Sequence, residues 1–122
     1  MPNTPPRDLG DRTFNFACDV VTYCRELSKE AGVVRNIAWQ LSDAATSAAA
    51  NYQEARAAYS RKEFALKTSV SLKELRESDL WLRVVLACDL GPREAPTRLQ
   101  VESNELVAIF TASMRRLRPV PK

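Results

Sequence analysis

The residues with chemistry to offer are charged and amide side chains at helical spacing. Asn51 and Glu54 stand three apart and so share one face of a helix, and Glu74 follows in the next periodic stretch. Converging carboxylates of this kind are the raw material of a metal site, and Glu54 with Glu74 around a metal is the one enzymatic reading available. Di-iron bundles, however, combine glutamates with Glu-x-x-His motifs, and this chain contains no histidine. The same absence removes Ser–His and Cys–His nucleophile pairs and every histidine-based metal site. The reading preferred for Asn51, Glu54 and Glu74 is therefore a structural polar cluster, hydrogen-bonded internally and setting register between helices or subunits. No cofactor, metal or catalytic residue is expected.

The basic residues offer a second chemistry. Lys62, Lys73, Arg76 and Arg83 fall at near-heptad offsets, which traces one stripe along a helix, with Leu66, Ser69 and Leu80 in the same stripe. From Ala112 to the end stand Arg115, Arg116, Arg118 and Lys122 with no acid, leaving the other 111 residues with 14 basic and 15 acidic groups. The net charge of +3 is thus an excess at one end of the chain. Such a cluster complements a helix C-terminus, or it contacts an anionic polymer. Arginine suits phosphate through its bidentate fork. Candidate nucleic-acid contacts are Lys73, Arg76, Arg83, Arg115, Arg116 and Arg118. Glu74 and Glu77 dilute the stripe, and nothing in the sequence resembles a base-reading motif.

Composition narrows the field further. The 122 residues are one domain's worth, 45% hydrophobic and 27% charged. Three scattered glycines, Gly10, Gly32 and Gly91, cannot build a phosphate-cradling loop. Cys18, Cys24 and Cys88 form no Cys-x-x-Cys pair and no evident disulfide framework, which fits a reducing cytosol. No apolar run is long enough to span a bilayer, so no membrane partner is expected.

These side chains must be positioned by helices. The seven prolines all lie outside residues 7–91, and that long proline-free stretch is periodic in apolar residues. A first helix is expected over 12–30, N-capped by Asp11, with Phe14, Ala17, Val20, Val21, Cys24 and Leu27 inward and Gly32 closing it. A second is expected over 34–59, its middle rich in alanine, which allows close approach of a neighbour. Ser60-Arg61-Lys62-Glu63 reads as a capping box, with Tyr59 and Phe64 as a hydrophobic staple. Ser60 and Glu63 thus start a third helix, ending near residue 89, with Phe64, Thr68, Leu72, Leu75, Leu82 and Leu86 inward and Glu63–Lys67 and Asp79–Arg83 as ion pairs. A fourth follows Pro96-Thr97, carrying Leu99, Val101, Leu106, Ile109, Phe110, Ser113 and Leu117, and stops before Pro119. The expected domain plan is a flexible leader over 1–11, an all-α, antiparallel up-down-up-down four-helix bundle over 12–118, and a tail over 119–122. Phe16, Tyr23, Leu66, Val70, Leu80, Trp81, Val84 and Val85 exceed what the narrow inward stripes can cover. Surplus apolar surface of that kind predicts an interface, and Trp39 and Trp81 are read as core or interface anchors.

The segment 40–64 reads QLSDAATSAAANYQEARAAYSRKEF. It resembles the four-helix-bundle family encoded inside intervening sequences of bacterial 23S rRNA genes, whose pattern is Q-[IL]-x-x-A-A-x-S-I-P-x-N-I-A-E-G-x-x-x-x-S-x-K-E-F. Gln40, Ala44, Ala45, Ser47, Asn51, Glu54, Ser60, Lys62, Glu63 and Phe64 fall in register without a gap. Ser71-Leu72-Lys73-Glu74-Leu75 is similar to the G-S-L-x-E-L that follows. The chain departs from the pattern at Ala48-Ala49, where the family has Ile-Pro, and at Ala55, where it has glycine. These changes favour a straighter second helix. The resemblance implies a ring-shaped homopentamer and no catalysis. Through the distantly similar accessory variability proteins of diversity-generating retroelements, it also implies RNA or DNA and a reverse transcriptase or other protein as partners. The expected function is a non-enzymatic homo-oligomeric accessory or scaffold protein that binds nucleic acid through charge. The alternative is a purely structural or protein-binding oligomer.

Overall fold

A computed structural model describes residues 8–117. Every described element is a helix: α1 (Leu9–Leu27), α2 (Val33–Arg56), α3 (Arg61–Ala87) and α4 (Glu94–Leu117). Each helix packs on its neighbours in sequence, and α4 returns to α1 through a thinner contact, while the diagonal pairs α1/α3 and α2/α4 keep their backbones apart and α2 and α4 meet only through side chains such as Tyr52 and Phe110. The result is a four-helix bundle with one central core. That core is built from Phe16, Val20 and Leu27 of α1, Leu41, Ala45 and Ala48 of α2, Leu75, Leu82 and Val85 of α3, and Leu99, Leu106 and Phe110 of α4.

The helix ends differ from the expectation by a few residues, and each shift has a local cause. Asp8, not Asp11, caps α1: its Oδ1 accepts from the Gly10 backbone N–H at 2.6 Å and also from Arg56 Nη1 at 2.9 Å. Asp11 then sits in the first turn, where a negative charge also favours the helix dipole. Residues 9–11 of the expected leader are thereby helical. Helix α1 ends at Leu27 with Ser28 as its C-cap, and Gly32, at φ 73°, serves instead as the entry to α2. That positive φ is a conformation glycine adopts without a Cβ clash.

Helix α2 stops at Arg56, so the connector 57–60 is longer than expected. Ser60 does cap α3, accepting the Glu63 N–H at 3.0 Å. The return bond of the box is displaced, because Glu63 Oε2 receives the Tyr59 N–H, at 3.5 Å, rather than that of Ser60. The staple is absent: Tyr59 is 100% exposed, and Phe64 packs edge-on to Tyr52, with ring centroids 6.5 Å apart. Helix α4 begins at Glu94, so that Pro96-Thr97, expected to precede it, lies within its first turn. There the missing N–H of Pro96 breaks no bond, and the ladder opens with Thr97 N–H to Arg93 C=O at 3.0 Å.

The apolar phase is corrected on three helices; on α4, Val101 faces out and is 56% exposed. On α1, Phe16 enters the core while Phe14 and Val21 face out. On α3, Val85 is buried and Leu86 is only partly covered. Two expected ion pairs are replaced by contacts between helices. Lys67 bonds Glu54 of α2 at 2.7 Å rather than Glu63. Asp79 accepts from Ser103 Oγ at 2.6 Å and Gln100 Nε2 at 2.9 Å, both on α4, rather than pairing with Arg83. The alanine-rich stretch behaves as its small side chains suggest. Ala44, Ala45 and Ala48 are fully covered, and α3 comes near enough for Ser71 Oγ to donate to the Ala48 carbonyl at 2.7 Å.

Candidate nucleic-acid interface and apolar faces

Within one bundle the three polar residues read from the sequence are not brought together. Asn51 turns back on its own helix, its Nδ2 donating to the Ser47 carbonyl at 2.9 Å and Ser47 Oγ at 3.2 Å. Glu54 is taken by Lys67, and that bond raises the lysine pKa above its ordinary value. Glu74 is half-buried on α3, and the hydrogen bond at its position is Ser78 Oγ to its backbone carbonyl at 2.9 Å. No hydrogen bond joins any two of the three. Asn51 and Glu54 share a helix face at three-residue spacing, but each finds a nearer partner than the other. Among the described residues, no group of three or more Asp, Glu or Cys is placed to hold a metal ion.

The basic residues fare differently. Lys73 and Arg76 of α3 face Arg115 of α4 across a shallow groove floored by Leu72, Thr111 and Met114. All three cations are exposed, and none makes an ion pair with a described residue. Arg83 lies two turns further along α3, exposed and outside the groove. Arg116 turns to the other flank of α4, where Arg61 Nη2 donates to its backbone carbonyl at 3.4 Å. Arg118, the last candidate contact, lies outside the described residues. Heptad spacing placed Lys73 and Arg76 together. Arg115 joins them through the packing register of α3 on α4, which no local pattern encodes.

Apolar surface is exposed on two opposite sides of the bundle. On one side, Phe14, Cys18 and Val21 of α1 and Thr46 and Ala49 of α2 line a shallow apolar trough, which continues past Val21 to Trp39 and Ser42. Trp39 is 69% exposed and is therefore no core anchor. Asp43 stands between Trp39 and Thr46 at helical spacing and is exposed. On the other side, Leu66 and Leu80 project from the outer stripe of α3, one heptad either side of Lys73, at 60% and 48% exposure. Of the residues expected to be surplus, Phe16 and Val85 are instead in the core, Tyr23, Val70, Trp81 and Val84 are half-covered, and Leu66 and Leu80 are exposed. Phe14, Val21 and Trp39 were not in the expected surplus. For Phe14 and Val21 the signal is the width of the apolar arc on α1, too broad for one core; Trp39 lies on α2.

The sequence reading also missed a fork between chain-distant helices. Arg12 Nε and Nη2 donate to the two carboxylate oxygens of Glu102 at 2.9 Å, and Nη2 also reaches Glu105 at 2.7 Å. These hydrogen bonds outweigh partial burial and hold the guanidinium more firmly protonated than usual. At the opposite end of α1, burial pushes the Cys24 thiol and the Tyr23 phenol each up to about 12. Neither is a nucleophile at neutral pH.

No described helix is long and apolar enough to cross a membrane. Among curated proteins, none matches the chain. Among solved structures, the bundle is similar to a crystal structure of a protein with unknown function from the S23 ribosomal protein family of Bacteroides thetaiotaomicron. The two share 26% identity at a TM-score of 0.79, over 88% of this chain and 99% of that one. The profile of the family described as 23S rRNA-intervening sequence protein matches residues 8–112. With the in-register segment 40–64 and a bundle of the same architecture, the chain belongs to the 23S rRNA-intervening sequence protein family.

Proposed function

We propose that this protein is a self-assembling, non-enzymatic scaffold whose assembled form presents cations to a nucleic-acid backbone. The helices alternate up and down, and copies pack head to tail. The Phe14–Val21–Trp39 face of one bundle covers the Leu66–Leu80 stripe of the next, with Asp43 meeting Lys73. The observation that carries this reading is the pair of exposed apolar faces on opposite sides of one bundle, the first with Asp43, as well as Arg25, at its border and the second centred on Lys73. Faces that differ and lie back to back make a heterologous contact, and a heterologous contact closes into a ring when its rotation allows. Five copies is the number that family resemblance implies. Closure repeats Arg76, Arg115 and Arg116 around the ring, so contacts individually weak become collectively strong and salt-dependent.

Light scattering behind a sizing column tests the assembly. A multiple of the 13.7 kDa chain is expected. Leu66→Glu or Phe14→Glu should give a monomer that keeps its helical circular dichroism. A wild-type species of single-chain mass at every concentration overturns the proposal. Titration of labelled RNA and duplex DNA at rising salt tests the second half. Binding should fall steeply with salt, without sequence preference.

A purely structural oligomer is the second reading, and the acids Glu74 and Glu77 beside Lys73 and Arg76 favour it. Undetectable binding at low ionic strength decides for it.

A further inference from the structure

We infer that a cavity at the Tyr52–Arg116 end of the bundle is a binding site for a small organic anion: one aromatic or branched apolar body carrying a carboxylate or a phosphate. The cavity holds about 270 Å³, just beneath the roughly 300–1,000 Å³ of sites that enclose drug-sized ligands. Its walls are aromatic. Tyr52 stands edge-on to Phe110 with ring centroids 5.0 Å apart, and to Phe64 at 6.5 Å. Such a cluster offers ring faces and edges to a planar guest.

The lining contains a polar atom without a partner. Thr68 is 1% exposed, and its Oγ1 makes no hydrogen bond. Thr13, Thr22 and Thr46 each donate to the carbonyl four residues back. The same bond is open in principle to Thr68 on α3, yet it is not made. A buried hydroxyl left unpaired is costly; the Thr68 oxygen is closed off behind the cavity wall, and a guest that shifts that wall slightly brings an acceptor or donor within its reach and removes the cost.

Two cations line the same cavity. Arg61 and Arg116 both contribute to its wall, and neither is ion-paired with a described residue. Their recorded hydrogen bonds are long: Arg61 Nη2 to the Arg116 carbonyl and Arg116 Nη2 to Ser113 Oγ, each at 3.4 Å. Among the described residues no carboxylate lines the cavity. Asp8, whose charge reaches Tyr52, is held by Arg56 at 2.9 Å. Apolar walls, an unpaired hydroxyl and two uncommitted guanidinium groups select an amphipathic anion over a neutral or cationic ligand. The site takes a small molecule rather than a polymer, and it stands whether or not the ring binds nucleic acid.

The test uses the full-length protein with phenylacetate and phenyl phosphate as probes, followed by amide NMR and calorimetry. The two probes separate a carboxylate preference from a phosphate preference. At least one should bind saturably and move the signals of Phe64, Thr68 and Ser113. Benzyl alcohol and inorganic phosphate, the two halves of the ligand offered separately, should bind at least about tenfold more weakly. The pair Arg61→Gln and Arg116→Gln should cost at least about tenfold in affinity. Thr68→Val should weaken binding several-fold while leaving the melting temperature unchanged or higher, an outcome that a packing role for the hydroxyl does not produce. The proposal is overturned by the absence of saturable shifts with either probe up to about 10 mM. It is equally overturned by wild-type affinity in the Thr68 and arginine variants, or by shifts centred on Phe14, Val21 and Trp39.

Discussion

Cys24 and Tyr23 show how a side chain without a catalytic task still governs behaviour. Both are neutral inside the bundle, and burial is the leading reason their pKa values rise, from 9.0 and 10.0 to about 12. A group whose folded pKa is raised binds its proton more tightly in the folded state. Its contribution is therefore intact below the unfolded pKa and is lost as pH climbs toward the folded value. Urea unfolding in reducing buffer should show no alkaline loss from these groups up to about pH 9. Above that, stability should fall by at most about 1.4 kcal/mol per pH unit for each group, and by less for the half-exposed Tyr23. Cys24→Ala should flatten part of that slope, whatever it does to stability at neutral pH. Asp79 makes a second case at this scale. It accepts two hydrogen bonds from α4, so Asp79→Ala should cost about 1.5–3 kcal/mol. Asp79→Asn, which keeps an acceptor, should cost less. Equal losses in the two variants would show that the charge, not the acceptor, matters.

At the scale of the helices, small residues decide how near α2 and α3 come. Ala48 is buried between the two helices and its carbonyl takes the Ser71 hydroxyl. Ala48→Leu should destabilise by about 1–3 kcal/mol through overpacking, measured by thermal or urea unfolding. Ser60→Ala should cost about 1 kcal/mol by removing the cap on α3. The number, order and approximate length of the helices were legible because proline, glycine and capping residues punctuate a clear 3.6-residue period. The phase of α1 was not. Phe14 and Val21 obey the same three- and four-residue steps as Phe16 and Val20, because this helix carries apolar residues on an inward and an outward stripe at once. A period identifies a helix, but with two stripes it cannot say which one meets the core. The basic groove was legible only within α3. Within one chain the polar trio stays apart because Lys67 and Ser47, ordinary neighbours, satisfy Glu54 and Asn51 first.

For the whole molecule, the outward stripe of α1 becomes the informative feature, since one bundle has no use for it. Cys18 lies in that trough and Cys88 lies near the end of α3, both exposed in the single chain. If copies cover the trough, a thiol reagent should label Cys88 quickly and Cys18 slowly at assembling concentration. Phe14→Glu, which breaks the contact, should restore fast labelling of Cys18. Equal rates at every concentration would count against this face as the contact. Charge acts on the same scale. Lys73→Glu should weaken assembly by setting like charges against Asp43, and Asp43→Lys in the same chain should recover part of the loss.

Leu9 and Leu117 line one cavity, so the first and last helices meet where the described chain begins and ends. The Arg12 fork onto Glu102 and Glu105 pins α1 to α4 nearby. The helices thus form a closed cycle in space that the backbone leaves unjoined at a single point. A circular permutant, with a short linker spanning from Leu117 back to Asp8 and a fresh break at Tyr59 in the exposed connector, should recover the native far-ultraviolet spectrum and cooperative melting. Its success would mean that the order in which the ribosome delivers the four rods is incidental to how they come together.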